Sequence, residues 1–445
     1  MKVHKCCYTY AFWACALLSA CTPNSSDSGK KITLRSLDGA SLADTLEVNE
    51  NLPLMAQQKD ALYRIRGQEG TGDMGQIYID NVISSEYKII PLETMEDCVI
   101  GNIDDILKDD SLLFVVDTWS ERICVFNLNG KFLRNIGKKG HAADEYVSMT
   151  RVAFDKDHRR VGILDDDSQK LLFYDYNGNF LGKESLYFRY EHLAFCGDDR
   201  RVLLVLPYEH DGYEALNSFK FTLTDKEGVP VCGVLKNPGF PKHKLDNIPF
   251  NVVLEQPLHA NPDGVYYVDI LSPDTIWRVS EDECVPFLAA DFGEPFTDAK
   301  SYGEMTKKSY QEKMNTKNYL HDDFIFTKDF GCLSTTLQNR VFINLKTGQY
   351  QMGRLSRRPR SLVNDFSTFA FDCYTYTKMF LYDWEANQIA RIWPVDEVLM
   401  RMKGLRADEE GEAIYQSWPQ EERAMLEHLS PEDNPVIVVA TLKEF

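Results

Sequence analysis

Val115-Val116-Asp117…Gly130-Lys131-Phe132-Leu133 and Ile163-Leu164-Asp165…Gly178-Asn179-Phe180-Leu181 are two copies of one pattern, 48 residues apart. At that offset Ser120 falls on Ser168, Arg122 on Lys170, Ile123 on Leu171, Val125 on Phe173 and Phe126 on Tyr174. No insertion is needed. Asn129-Gly130 and Asn177-Gly178 each stand between apolar runs, a strong signal for a hairpin turn. A period of about 40 to 50 residues with several short strands per unit is the signature of a β-propeller blade.

Four further units extend the pattern. Val202–Leu206 and Phe219–Leu223 make a third, Val265–Asp269 and Thr275–Val279 a fourth, and Cys332–Leu337 and Val341–Leu345 a fifth. Phe369–Tyr376, Met379–Asp383 and Gln388–Trp393 make a sixth. The fold expected is all-β, a six-bladed β-propeller of four-stranded blades with short helical insertions near the C-terminus. The chain divides into a signal peptide at 1–20, a flexible tether at 21–45, an irregular segment at 46–84 and the propeller at 85–445. Helical insertions are expected at about 298–321 and 394–430. In the second, Val395, Val398, Leu399 and Met402 form a helical stripe, and Ser417 with Gln420 offers a capping box for another helix. The apolar run at 436–442 and the strand Tyr87–Leu92 are expected to close the ring together, since a propeller left open has unpaired edges.

The start of the chain reads as an address. Lys2 and Lys5 precede an apolar run, Tyr8–Leu18, too short to span a bilayer, so a secretory signal is favoured over a membrane helix. Leu18-Ser19-Ala20-Cys21 resembles the lipobox of bacterial lipoproteins, which implies lipidation of Cys21 and attachment to the membrane through that lipid alone. Thr22 is not aspartate, which by the same resemblance implies the outer membrane; the lack of an acidic cluster leans towards the periplasmic side. The formal net charge of −19 argues against nucleic acid as a partner. Seven cysteines remain after Cys21, at wide spacings and without C-x-x-C, and read as buried packing residues.

The segment Val115-Val116-Asp117, Arg122-Ile123-Cys124-Val125-Phe126, Gly130-Lys131-Phe132 resembles the NHL-type propeller repeat, and Ile136-Gly137-Lys138-Lys139-Gly140…Glu145-Tyr146 its crossing segment. Over about 85–445 the chain is similar to the six-bladed β-propeller lipoproteins of gut-type Gram-negative bacteria. Ile90-Pro91-Leu92-Glu93, Asp274-Thr275-Ile276-Trp277 and Asn434-Pro435-Val436-Ile437 carry that likeness. It departs from the pattern at His141-Ala142-Ala143. The resemblance implies a fold and an address, and no reaction.

Local motifs for chemistry are sparse. Gly70-Thr71-Gly72-Asp73-Met74-Gly75 has the letters of a dinucleotide fingerprint, but a strand-like run follows where a helix is required. Asp165-Asp166-Asp167 lacks the glycine and glutamate of a calcium loop. No H-E-x-x-H or G-x-S-x-G occurs. No metal and no cofactor is expected. The candidate ligand-binding residues are Trp119, an aromatic in an otherwise polar loop, with Glu145, Tyr146 and Arg151 on the way into the second blade. The competing reading packs Tyr146 between blades and pairs Arg151 with a carboxylate. The function expected is an envelope binding or scaffold module for a protein or a glycan. The alternative is a glycan-active lyase or glycosidase with carboxylates drawn from several blades.

Overall fold

The computed structural model describes residues 30–39, 44–67, 75–197, 200–205, 213, 215–236, 258–269, 272–293, 307–355 and 378–445. Among them, six sheets each built on four antiparallel strands surround a common axis, and a two-stranded hairpin lies apart from them. Blade 1 comprises Asp105–Asp109, Leu112–Asp117, Arg122–Asn127 and Phe132–Asn135. Blade 2 comprises Arg151–Asp155, Arg160–Asp165, Lys170–Asp175 and Phe180–Ser185. Blade 3 spans Tyr190 to Lys236, blade 4 Leu258 to Asp291 and blade 5 Leu320 to Leu355. Blade 6 takes Met379–Asp383 and Gln388–Trp393, then Val436–Leu442, and finally Ile83–Pro91 from the other end of the chain. Val436 pairs with Pro91 and Ile437 with Ile90, which closes the ring as the terminal apolar run predicts.

The repeat has a structural cause. Asp117 pairs with Arg122 and Asp165 with Lys170, so the 48-residue offset is the register of the second and third strands. Each aspartate is buried and holds two loops at once. Asp117 accepts from the amides of Gly101 (2.6 Å), Asn102 (3.1 Å) and Ser120 (2.8 Å). Asp165 accepts from the amides of Val147 (2.7 Å), Ser148 (3.2 Å) and Ser168 (3.0 Å). The repeated glycines lie at φ +82 and +86, and each turns against the preceding blade: a Cβ on Gly130 would sit 2.0 Å from the carbonyl oxygen of Pro91.

Apolar packing lies between blades, in six separate cores. Leu113 and Val115 face blade 6, whereas Phe114 and Val116 face blade 2. Both sides of a middle strand are therefore buried, and its sequence reads as a continuous apolar run.

The segment expected to be tether and irregular chain contains strands. Lys31–Arg35 and Thr45–Asn49 form a hairpin, and Ala56–Gln57 and Tyr63–Arg66 add in parallel to the outer strand of blade 4. Gln76–Ile77 adds to blade 5. Together they run along the outer rim and drop an apolar side chain into one core after another: Val48 and Leu52 between blades 2 and 3, Met55 between 3 and 4, Ile65 between 4 and 5, Ile77 and Ile79 between 5 and 6.

Helices α1 (Lys307–Thr316), α2 (Val395–Leu405), α3 (Glu409–Ser417) and α4 (Gln420–Glu427) fall in the two expected insertions. Val395, Val398 and Met402 are buried against blade 6. The capping box is not formed. Ser417 donates to the Ile414 carbonyl (2.6 Å) at the end of α3, and Pro419 is the N-cap of α4 without a side-chain bond. The helix begins at Gln420 with Pro419 as its N-cap, so Ser417 lies two residues too early to cap its amides. Six cysteines, Cys98, Cys124, Cys196, Cys232, Cys284 and Cys332, form no disulfide among the described residues, and all but the half-buried Cys232 are buried. Cys373, the expected strand Phe369–Tyr376 and most of the Gly70–Gly75 motif lie outside the described residues.

Candidate functional site: the central channel

The first strand of each blade pairs with its blade on one side only. Its other edge looks towards the axis, where side chains of neighbouring blades meet some of the edge carbonyls: Asn261 donates to the Phe326 carbonyl (3.0 Å), and the rest of the edge is open to water or a ligand. That space is a cavity of about 630 Å³ lined by Asp105–Asp110, Arg151–Asp157, residues 192–195, Leu258–Pro262, Phe324–Phe326 and Lys378–Glu385. Its size is within the usual range for small-ligand pockets.

Charged groups of both signs line it. Lys108 pairs with Asp383 (2.5 Å). Asp109 pairs with Arg159 (3.2 Å), and Asp155 with Arg160 (2.7 Å). Near the start of the first strands, Lys378 donates to the Asp104 carbonyl (2.9 Å) and lies 5.0 Å from the centre of the Phe380 ring. Burial pushes the Lys378 ammonium below its usual range, although Asp105 and Asp323 pull it up. Burial likewise pushes the Asp105 carboxyl above its usual range, against Lys378. His259 packs on Phe324 with ring centres 4.3 Å apart, and its Nε2 is 3.0 Å from the Asp322 carbonyl oxygen. Burial and the Lys378 charge bring its pKa down to about 4, so the ring is neutral at pH 7. His321 meets the Asp322 carboxylate at 2.6 Å, and that bond raises its pKa.

Of the residues singled out by sequence, Arg151 lines this cavity; Trp119, Glu145 and Tyr146 do not. Arg151 donates from Nε to His192 Nδ1 (3.3 Å) and from Nη1 to the Thr150 carbonyl (2.9 Å), with no carboxylate in pairing distance among the described residues. Trp119 stands 86% exposed in the loop after Asp117, at the end of the molecule where the first strands begin; Thr118 in that loop is bound to Asp104 through its amide (2.7 Å). Glu145 accepts from the Ala142 amide (3.0 Å) and pairs with Lys138 (3.6 Å); chiefly the amide holds its carboxyl below the usual range. Tyr146 is buried between blades 1 and 2, where its hydroxyl donates to the Glu121 carbonyl (2.7 Å) and burial drives its pKa upward.

Sequence reading passed over Asp105, Lys156, His192, His259 and Lys378, which face the channel. The available signal was charge inside a strand: Asp105-Ile106-Leu107-Lys108-Asp109 is far more polar than the run that follows it. Among the described residues no three His, Cys, Asp or Glu side chains gather as a metal site.

Residues 63–441 match the family model described as a domain of unknown function, DUF4934. No curated protein matches the sequence. Among solved structures, a Bacteroides fragilis protein provisionally described as exported superposes with a TM-score of 0.64 at 17% identity, over 86% of this chain and 100% of that one. A Bacteroides vulgatus member of the DUF4221 family gives 0.48 at 9% identity, over 81% and 97%. The first likeness is one of fold; the second is too slight to argue from.

Proposed function

The chain belongs to the DUF4934 family, and from the build of its channel we propose that it is a lipid-anchored binding module of the cell envelope, taking a protein or a glycan at the channel. The observation that carries this reading is the axial cavity of about 630 Å³, walled by strand edges and by side chains from all six blades. Such a space offers hydrogen-bonding groups from every direction, on a frame held by six apolar cores. Leu18-Ser19-Ala20-Cys21 supports the anchor, and the export assigned to the Bacteroides fragilis protein agrees with an envelope address. Thr22 and the tract after it support outer-membrane attachment with the propeller on the periplasmic side.

Two experiments test the reading. Cys21→Ser is expected to move the protein from the membrane to the soluble fraction; membrane retention of the variant overturns the anchor. The intact lipoprotein is then used as bait in solubilised envelope, beside Trp119→Ala and Arg151→Ala variants. A protein or polysaccharide retained by the wild type and lost by Arg151→Ala supports the channel as the binding place. Equal retention by all three baits rejects it.

One observation favours a second reading, the glycan-active lyase or glycosidase. Asp105, a carboxyl raised by burial, shares the channel with the neutral His259, and such perturbed groups gather at catalytic sites. Release of unsaturated or reducing ends from a polysaccharide, abolished by Asp105→Asn, is the result that reading requires.

A further inference from the structure

Blades 1 and 2 share a build but differ in chemistry at the end of the molecule where their first strands begin. Residues 95–102 cross that end of blade 1. They are held by Arg122 Nη1 on the Glu96 carbonyl (3.3 Å), by Asn135 on the Asp97 carbonyl (2.7 Å) and by the Asp117 carboxylate on the Gly101 amide (2.6 Å). The same carboxylate takes the Ser120 amide, so the Trp119 loop stands against this crossing segment. Trp119 is exposed, and so are Val99 (50%) and Met95 (46%). Asp165 grips blade 2 in the same way, through the amides of Val147 and Ser168. In that register Val99 falls on Glu145 and Trp119 on Asp167. The crossing therefore folds with carboxylates at both places, and packing does not call for the apolar side chains that blade 1 puts there. Exposed apolar groups that gather at one place mark a contact surface.

Charge says what the surface meets. Glu96 and Asp97 are exposed on the same crossing segment, and neither carboxylate has a cation in pairing distance among the described residues. We infer that this end of blade 1 docks a basic segment of another protein, whose apolar side chains cover Trp119 and Val99 while its lysines or arginines meet Glu96 and Asp97. The face of an indole also attracts a cation directly. A formal net charge of −19 opposes a second copy of this chain or an anionic lipid surface in the same place. Trp119, Val99, Glu96 and Asp97 lie outside the channel lining, so this surface is additional to the channel and independent of what the channel binds.

The test is calorimetric titration of the intact lipoprotein in detergent, at moderate salt and with empty micelles as the blank. The probes are three hexapeptides of alternating residues: lysine with leucine, lysine with serine, and glutamate with leucine. The lysine–leucine peptide is expected to bind at least tenfold more tightly than either of the others. Two double variants then separate the apolar and the charged contributions. Val99→Glu with Trp119→Asp gives blade 1 the residues of blade 2 and adds two negative charges. It is expected to weaken binding about tenfold, whereas an attraction of charge alone would grow stronger. Glu96→Gln with Asp97→Asn is expected to weaken binding and to reduce its salt dependence. Unchanged or tighter binding by the first variant overturns the inference, as does indifference to the second. Equal binding of the lysine–serine or the glutamate–leucine peptide overturns it, and so does no binding of any probe. Quenching of Trp119 emission by brominated lipid after reconstitution, read as the difference between wild type and Trp119→Phe, would assign the surface to the bilayer instead. The channel reading stands or falls separately, on Arg151→Ala.

Discussion

A single carboxylate shows how much one position decides. Asp165 is buried and accepts four hydrogen bonds from Val147, Ser148 and Ser168. Burial on its own raises its pKa, but the amide donors of Ser168 and Val147 outweigh it and hold the carboxyl below its usual range. Asp165→Ala leaves those amides without an acceptor and is expected to cost about 3 kcal/mol, read as a lower urea midpoint. The lowered pKa means that Asp165 stabilises the fold above roughly pH 4 and loses that contribution as pH falls through its folded value. His259 acts at higher pH. Its folded pKa of about 4 lies below the ordinary value of 6.5, so between the two the unfolded chain binds a proton that the folded one does not. The wild type is therefore expected to lose about 2 kcal/mol at pH 5 through this residue, a loss absent from His259→Gln when both are unfolded at pH 7.5 and at pH 5. Glycine separates space from conformation in the same way. Gly130→Ala forces a Cβ to 2.0 Å from the Pro91 carbonyl oxygen and is expected to cost about 3 kcal/mol or more. Gly348→Ala, at φ +73 with nothing within 4 Å, is expected to cost only about 1 kcal/mol.

Elements differ in how plainly the sequence announces them. Middle strands are buried on both faces, so their apolar runs and the aspartate and glycine that bound them repeat at a fixed offset. First strands obey a different spacing. Asp105 pairs with Val116 and Arg151 with Leu164, so these equivalent positions lie 46 residues apart, while Val116 and Leu164 keep the 48. The turn after the first strand of blade 2 is two residues longer, which slides the channel-facing residues out of the visible repeat. That is why Arg151 was found by its loop context while Asp105 was not. The rim segment escaped for another reason. Its strands are two to five residues long, and each buried side chain serves a different core, so no period accumulates. Ile65 is nonetheless fully buried between blades 4 and 5. Ile65→Ala is expected to cost about 2 to 5 kcal/mol by chemical denaturation, as much as a truncation within a blade; an effect below about 0.5 kcal/mol, the level of an ordinary surface substitution, means that the rim segment does not belong to the folded ring.

The whole molecule is a ring whose fastening is shared between its two ends. In blade 6 the strand Val436–Leu442 lies between Gln388–Trp393 and Ile83–Pro91, so without it the first of these has an open edge and the last no partner in the blade. A chain ending at Pro435 is expected to lose its cooperative unfolding transition and to elute as aggregates in gel filtration. Because Ile83–Pro91 is made early and its partner among the final residues, closure has a place in time. While the ribosome is still at work, that early strand waits with both edges bare, and five blades without the sixth make an arc rather than a ring. The finished shape is reached only after release of the last residues.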